Sequence, residues 1–351
     1  MQNVSIQLVE SLKERDDIEL ITIINETYHS RYVAFRIFFY LLKLLWLIPL
    51  YILKHKPDII LFSSMVTAAT LPMVAFKSRV RRISITHGQD VTLSNSLFQW
   101  YIKFVFKKLD GVISVSEATK KACIARGMDP GKGVILPNGF GFSEATDFPD
   151  KMNARKLFTE KFGIDLKNKI MLLTVGRHVK RKGHVWFIEN VFSKINSDVV
   201  YVIIGEGPET ENIENVVNKK KYSEKIYLLG RQAEEILKCA YAAADLFIMP
   251  NIPVEGDMEG FGIVLLEANI AGVPAIATDL EGIKDVIIQG VNGYRVPPEE
   301  PGSFANQINR ILSNGELEKI SKTSRDFVKD RYNWNAVADR YVRYFKNILN
   351  K

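Results

Sequence analysis

Two glutamates in the second half of the chain lie on either side of a glycine-rich turn. Glu259 comes directly before Gly-Phe-Gly (260–262), and Glu267 lies eight residues beyond it. Residues 263–271 favour a helix, so Glu259 would lie just outside it and Glu267 about two turns along, on nearly the same face. The backbone N–H groups at this helix start would attract an anion. Either glutamate alone is explained as a cap or a surface residue, but the pair predicts a site.

A cluster of cations follows the apolar run at 170–175, which has the composition of a buried strand. Gly176 and Arg177 begin this cluster, and Lys182 lies directly before Gly183. Lysine and arginine supply positive charge and glycines let the backbone approach a ligand, so the loop is suited to a phosphate or diphosphate. A solvated basic loop is the alternative. The position after a parallel strand favours the ligand site, because ligands bind at the carboxyl ends of such strands.

Three further segments follow predicted strands. Gly205 begins Gly-Glu-Gly-Pro, and Arg231 follows another glycine after an apolar run. In the first half, His87 ends a strand in the sequence Thr-His-Gly-Gln. A single loop histidine is more often structural, but His87 would face an inter-domain cleft if the chain has two domains.

All of these motifs require strands that end at one edge of a sheet. Apolar runs rich in valine, isoleucine and leucine alternate with helix-length segments, which indicates parallel sheets built from βαβ units. We count about five strands in each half and therefore predict an α/β fold with two Rossmann-like, doubly wound parallel-sheet domains. The predicted strands are 18–24, 58–63, 82–86, 111–115, 134–136, 170–175, 199–204, 225–229, 245–249 and 274–277.

The length of 351 residues also favours two domains, at about 150 residues each. We place the N-terminal domain at 1–140, the C-terminal domain at 141–330, and a C-terminal helix at 331–351 that crosses back to the first domain. Residues 1–140 contain 18 basic and 11 acidic residues, whereas the rest is balanced, with 29 of each. The formal charge of +7 therefore belongs to the first domain alone.

One segment, 37–53, is nearly all apolar, but Lys43 and Pro49 interrupt it. A charge at the centre of a spanning helix costs about 2.5–3.5 kcal/mol on insertion scales, so we interpret the segment as non-spanning. It is either a buried helix or a membrane-surface helix. The two cysteines, Cys123 and Cys239, are 116 residues apart, which suits a reducing compartment and offers no metal-ligand spacing.

These motifs together resemble those of glycosyltransferase family 4, whose members are retaining enzymes with the GT-B fold, two Rossmann-like domains facing a cleft. The second half matches through Gly-Arg-x4-Lys-Gly (176–183), Gly-Glu-Gly-Pro (205–208), Leu-Gly (229–230) and the glutamate pair. The first half matches through His-Gly (87–88) and Pro-Asn-Gly (137–139). The likeness covers almost the whole chain, and the glutamate pair in its context is its most specific part.

The resemblance implies how the nucleotide end of a donor would be bound. Arg177 and Lys182 would neutralise the diphosphate and stabilise the charge that grows as the nucleotide leaves. Glu267 would accept hydrogen bonds from the ribose, and the loop at Arg231 would frame the base. The implied donor is a UDP- or GDP-sugar.

The resemblance also implies a sugar site. Glu259, with the backbone N–H groups of Phe261 and Gly262, would hold the sugar hydroxyls, and His87 would contact the transferring sugar from the other domain. The implied catalytic residues are thus His87, Glu259, Arg177 and Lys182. The donor-binding set is completed by Gly176, Gly205, Gly260 and Ile263.

Transfer in this family is metal-independent, because fixed cations take the part of a divalent metal. The sequence contains no Asp-x-Asp motif, so we expect no metal and no cofactor apart from the nucleotide sugar as co-substrate. The expected chemistry keeps the α configuration, without the double displacement of retaining glycosidases.

The chain differs from the family pattern at two places. Phe-Gly-Phe (140–142) follows Pro-Asn-Gly, where a small residue and Asp are usual. The sequence also opens on Met-Gln-Asn-Val, residues that resemble those after the family's first strand and Gly-Gly loop. We therefore expect Met1 to be an internal methionine, with that strand and loop encoded upstream.

The charge of the first half points to the acceptor. Residues 27–140 carry 16 basic and five acidic residues and include the apolar segment 37–53. We expect a cytoplasmic enzyme, peripheral on the inner face of an anionic membrane, that glycosylates a lipid-linked or polysaccharide acceptor. Nucleic acid is disfavoured because no recognition helix or aromatic stacking sheet accompanies the cations.

Two alternatives remain open. One is a pseudo-glycosyltransferase partner subunit without activity. The other is a different two-Rossmann enzyme, such as a sugar-nucleotide epimerase. A dinucleotide-binding oxidoreductase is disfavoured, because no Gly-x-Gly-x-x-Gly opens either half.

Overall fold

The computed structural model describes residues 2–24, 33–73, 79–140 and 148–350. These form two compact units, one of Met1–Pro137 with Trp334–Lys351 and one of Asn138–Asn333. Each unit contains one parallel sheet with helices, which confirms the predicted α/β class. The predicted boundary between the domains, after residue 140, adjoins residues 141–147, which lie outside the described residues.

The first unit is built on a four-stranded sheet in the order β1-β2-β3-β4, with every neighbouring pair parallel. Its strands are β1 (Ile59–Phe62), β2 (Arg81–Thr86), β3 (Gly111–Ser114) and β4 (Gly133–Ile135). Its helices are α1 (Gln2–Lys13), α2 (Val33–His55), α3 (Met65–Ala68), α4 (Gln89–Thr92), α5 (Ser96–Lys108) and α6 (Glu117–Ile124), with 3₁₀ turns at Leu71–Met73 and Pro130–Lys132.

The predicted strand at 18–24 is wrong. The segment is irregular and pairs with no strand of the described sheet. Ile21 and Ile24 are exposed rather than packed in the core. An apolar run becomes a strand only where a neighbouring strand satisfies its backbone groups, and no strand among the described residues pairs with this one.

The second unit contains a six-stranded parallel sheet in the order β10-β9-β8-β5-β6-β7. The strands are β5 (Ile170–Val175), β6 (Val199–Ile204), β7 (Ile226–Leu228), β8 (Leu246–Met249), β9 (Ala275–Thr278) and β10 (Gly293–Val296). The sequence did not predict β10, which is short and begins at an Asn-Gly pair typical of turns. Its helices are α7 (Lys151–Phe162), α8 (His184–Asn190), α9 (Thr210–Lys219), α10 (Glu234–Ala243), α11 (Ile263–Ile270), α12 (Ile283–Val286), α13 (Pro301–Ser313) and α14 (Glu316–Tyr332), with 3₁₀ turns at Lys180–Lys182 and Phe192–Lys194.

The strand order reverses beside β5. The chain runs outward from β5 to β6 and β7, then returns to the other side of β5 with β8. In open α/β sheets the loops that leave the two strands at such a reversal diverge and leave a crevice that binds ligands. The basic loop that begins at Gly176 leaves β5, and the loop that contains Glu259 leaves β8. These are the two loops at the reversal.

The last helix, α15 (Trp334–Leu349), belongs to the first unit. It packs against α1, where Ser11 Oγ donates to the carbonyl of Trp334 at 3.0 Å and Trp334 Nε1 donates to Gln7 at 2.8 Å. It also reaches the start of β3, where a Cβ on Gly111 would lie 2.2 Å from the hydroxyl of Tyr344. Glycine at position 111 therefore makes room for this helix.

Candidate functional site

The loops after β5 and β8 are joined by a buried ion network. Lys182 Nζ donates to Glu259 Oε2 at 2.5 Å, and Arg181 donates to the same oxygen. Arg181 also pairs with Asp257 at 2.9 Å, and the side-chain amide of Asn251 donates to Glu259 at 3.2 Å. The sequence singled out Lys182 and Glu259, and the structure brings them together.

Arg181 is a member that the sequence did not single out. Arg181 is one of several cations in the basic loop, and only the fold shows that its guanidinium turns inward to Asp257 and Glu259. The residue is 8% exposed, whereas Arg177 in the same loop is exposed. Two arginines four residues apart therefore have different surroundings, one inside the network and one facing solvent.

The network fixes the charge of Glu259. Burial by itself would raise the pKa of this carboxyl, but the charges of Lys182 and Arg181 outweigh burial and lower the pKa to about 2. Burial lowers the pKa of Lys182, and the carboxylate of Glu259 opposes that effect. Glu259 is therefore an ionised acceptor at neutral pH, suited to hydroxyl donors such as those of a sugar.

The backbone of Glu259 is held by a second turn, the one after β9. Its N–H donates to the carboxylate of Glu281, and its carbonyl accepts from the N–H of Gly282 at 3.1 Å. Glu281 has a φ of +44°, in the left-handed region that favours glycine. A Cβ on Gly282 would lie 2.2 Å from the carbonyl oxygen of Gly260, so the two turns touch through their backbones.

Helix α11 begins where the sequence predicted, just after Gly262, whose φ is +85°. Phe261 is buried, and its ring centroid lies 6.1 Å from that of Tyr332. Gly260 is also buried and Ile263 half-buried. The turn is thus anchored by an aromatic side chain.

Glu267 lies in the second turn of α11, where the hydroxyl of Tyr241 donates to it at 2.9 Å. Burial raises the pKa of Glu267 to about 7, with a further contribution from the charge of Glu234, while the Tyr241 hydrogen bond acts in the opposite direction. Tyr241 comes from α10, 26 residues away, and no local pattern in the sequence predicts this contact.

The basic loop begins at an edge where three strands end together. The N–H of Gly176 donates to the carbonyl of Ile204, and the N–H of Gly205 donates to that of Gly230, both at 2.9 Å. A Cβ on Gly205 would lie 1.9 Å from the carbonyl oxygen of Gly176. Glycine is therefore required here for close packing of the loops beneath the site.

Arg231 lies on the exposed loop after β7, and its backbone N–H donates to Glu206 at 3.3 Å. The carboxylate of Glu206 thus ties the loop after β6 to the loop after β7. The role of Arg231 in framing a nucleotide base stays a prediction.

His87 belongs to the other unit, between β2 and α4. Its backbone N–H donates to Asp90 at 2.8 Å, and its Nε2 lies 3.0 Å from the carbonyl oxygen of Ser63. Burial lowers the pKa of His87, and the charge of Asp90 opposes that shift. Its predicted contact with a transferring sugar stays a prediction.

Among the residues that the structure describes, no group of three or more histidine, cysteine, aspartate or glutamate side chains is placed to hold a metal ion. Arg181 and Lys182 contribute positive charge at the site. Metal independence stays a prediction, to be tested in solution.

Two protein-family models match this chain, one in each half. The family model for "Glycosyl transferases group 1" matches residues 156–331, which include the whole ion network. The model for "Glycosyltransferase Family 4" matches residues 7–141. The two matches together cover most of both units.

Individual relatives agree with the family match. An uncharacterized glycosyltransferase of Methanocaldococcus jannaschii, MJ1069, is 24% identical over 306 residues, 82% of this chain and 74% of that protein. The phosphatidyl-myo-inositol mannosyltransferase of Mycobacterium leprae is 28% identical over 80% of this chain and 71% of its own length. The solved structure of Anabaena Alr3699/HepE in complex with UDP has a TM-score of 0.73 at 17% identity, covering 89% of this chain and 82% of that one.

Proposed function

The chain belongs to the glycosyl transferases group 1 family and is a glycosyltransferase of the GT-B type, and on that premise we propose that it transfers a sugar from a UDP- or GDP-sugar with retention and without a metal. The proposal rests on one observation above all. The ion network of Lys182, Arg181 and Glu259 lies between the loops after β5 and β8, at the reversal of the strand order.

The donor diphosphate would lie at the mouth of this network. Arg177 is exposed at the end of β5, with a guanidinium that can pair bidentately with phosphate oxygens. Lys182 would add charge from below, and the N-terminus of α11 would add its dipole. Together these groups would stabilise the diphosphate as it departs.

The sugar would lie against Glu259 and the turn before α11. An ionised Glu259 accepts hydrogen bonds from hydroxyls, and Glu281 holds its backbone in place. In the proposed step, the bond between the anomeric carbon and the diphosphate oxygen breaks. The acceptor oxygen then bonds to the same face of that carbon, and its proton passes to the departing phosphate oxygen.

The acceptor in our proposal is a glycan or a lipid-linked intermediate at an anionic membrane surface. A matched relative is named for a lipid acceptor, phosphatidyl-myo-inositol. The net charge of +11 over residues 27–140, from 16 basic and five acidic residues, supports an anionic partner for the first unit. We therefore propose that the enzyme acts on the cytoplasmic side of that membrane.

The deciding experiment is a donor panel in the presence of EDTA, with products identified by mass spectrometry and the anomeric configuration determined by NMR. We expect one nucleotide sugar to be consumed and an α-linked product to form. Strict dependence on Mg²⁺ would contradict the metal-free mechanism. Binding of UDP or GDP without any transfer would favour a non-catalytic partner subunit.

A further inference from the structure

Helix α2 presents a continuous apolar stripe to the outside of the first unit. Its large exposed side chains recur every three or four residues, so they share one face of the helix. Trp46 is 83% exposed and Leu53 is 76% exposed. The stripe consists of Phe35, Phe38, Phe39, Leu42, Trp46, Leu50 and Leu53.

The opposite face of α2 is built into the protein. Leu44, Ile48 and Ile52, spaced four apart, are buried in the core of the first unit. The segment Phe35–His55 is long and apolar enough to cross a membrane, but crossing would pull these three residues out of the core. Pro49 also lies inside the helix. The helix is therefore docked along the protein surface with its second face uncovered by the described residues.

Positive charges line one edge of the uncovered stripe. At 100° per residue, Arg36, Lys43 and Lys54 fall at nearly the same angle, beside the aromatic face. All three are exposed, and α2 contains no acidic residue. A face with aromatic and aliphatic side chains at its centre and cations at its edge matches the boundary between acyl chains and anionic headgroups.

Helix α5 of the same unit repeats the pattern on a smaller scale. Ile102 and Val105 are buried in the same core cluster as the inner face of α2. Leu97, Trp100 and Phe104 are exposed, and Lys107 lies 5.8 Å from the ring of Phe104. A second aromatic and cationic face on this unit supports the same kind of partner.

We propose that α2 is a membrane-surface helix, lying in the plane of an anionic bilayer with the stripe from Phe35 to Leu53 inserted at the headgroup boundary. Arg36, Lys43 and Lys54 would contact lipid phosphates. A second copy of the chain fits the stripe less well, since its α2 offers no acidic residue to pair with these cations. The proposal rests on the membrane part of the proposed function, but it involves no step of the transfer reaction.

The test is co-sedimentation of the full chain with vesicles of phosphatidylcholine and phosphatidylglycerol, without donor or acceptor. Replacing Trp46 and Leu50 by serine should weaken binding by at least about tenfold, because both side chains leave the inserted face. The matched control replaces Met152 and Leu157 by serine, exposed apolar residues of α7 in the other unit. We expect the control to bind as the wild type does.

The charge contribution has its own pair of variants. Lys43→Gln with Lys54→Gln should weaken binding by about tenfold at low salt, whereas Lys156→Gln with Lys161→Gln on α7 should not. Vesicles of phosphatidylcholine alone should bind weakly. Equal binding of the α2 variants and their controls would overturn the proposal, as would self-association through α2 without vesicle binding. Loss of vesicle binding would leave transfer to a soluble acceptor measurable, so the two proposals fail separately.

Discussion

Lys182 Nζ lies 2.5 Å from Glu259 Oε2, and this contact joins the loop after β5 to the loop after β8. Both side chains are about nine-tenths buried. The pair therefore has two effects, since it holds the two loops of the site together and keeps the carboxylate ionised. A change at either residue should alter stability as well as transfer.

The first prediction concerns the charge of Glu259. Glu259→Gln should lower the free energy of unfolding by on the order of 3 kcal/mol at pH 6, because it removes the charge of the buried carboxylate that Lys182 and Arg181 share. The folded pKa of about 2 lies below the ordinary value of 4.5, so this stabilisation is present above about pH 4.5 and is lost as the pH falls towards 2. Denaturant unfolding at several pH values measures the difference.

Glu255→Gln is the matched control, because Glu255 is an exposed residue of the same loop. It should change stability by less than about 0.5 kcal/mol. A Glu259→Gln protein as stable as this control at pH 6 would contradict the network as a source of stability.

The second prediction separates the position of Glu259 from overall stability, through Glu281. Glu281→Gly relieves a left-handed backbone, worth about 1 kcal/mol, but leaves the N–H of Glu259 without its acceptor, which costs about 1–3 kcal/mol. These terms oppose each other, so stability should change little while kcat falls at least about tenfold. Glu281→Gln keeps an acceptor oxygen and should keep most of the activity.

Assays of both variants with the same donor, alongside thermal unfolding, provide the measurement. Equal kcat for the Gly and Gln variants would show that the hydrogen bond between Glu281 and Glu259 does not position the carboxylate for transfer.

The residues of this site differ in how far the sequence could reveal them. Glu259, Glu267 and the cluster from Gly176 to Lys182 were predicted because each motif is local and follows an apolar strand. Glu281 and Tyr241 were not, since each meets its glutamate through a contact made only by the fold, across 22 and 26 residues.

The fold shows the same limit. Parallel strands were predicted from apolar runs, but an apolar run does not specify which strand, if any, pairs with it. The segment 18–24 has the composition of a strand and pairs with none in the described sheet, whereas β10 is short, begins at an Asn-Gly pair typical of turns, and pairs with β9. Pairing is decided by tertiary contacts, which composition does not contain.

The third prediction concerns Glu267. Its folded pKa of about 7 is above the ordinary value of 4.5, so the folded state holds this proton more tightly than the unfolded chain. The stability of the wild type should therefore fall, relative to Glu267→Gln, as the pH rises from about 4.5 to 7, by on the order of 2 kcal/mol. Thermal unfolding across this range measures the difference, and Glu235→Gln, at an exposed position of α10, is the control. Parallel curves for wild type and Glu267→Gln would contradict it.

The fourth prediction concerns the packing beneath the basic loop. Gly205→Ala should destabilise the protein by about 3 kcal/mol, because its Cβ would lie 1.9 Å from the carbonyl oxygen of Gly176 at a φ of +144°. Gly302→Ala is the control, since nothing lies within 4 Å of its Cβ position in α13. That change should be neutral or stabilising by up to about 1 kcal/mol. A Gly205→Ala protein as stable as the wild type would mean that the two loops are not in contact.

The fifth prediction concerns the arginine that faces solvent at the end of β5. Arg177→Met should weaken UDP or GDP binding in EDTA by about tenfold to a hundredfold, since a charged hydrogen bond to phosphate is worth about 1.5–3 kcal/mol. It should leave the free energy of unfolding almost unchanged, because Arg177 is exposed and outside the buried network. Lys180→Met removes an exposed charge from the same loop and should leave binding nearly intact. Titration calorimetry of the three proteins decides between a specific phosphate contact and a general effect of loop charge, because equal losses in both variants would indicate only the latter.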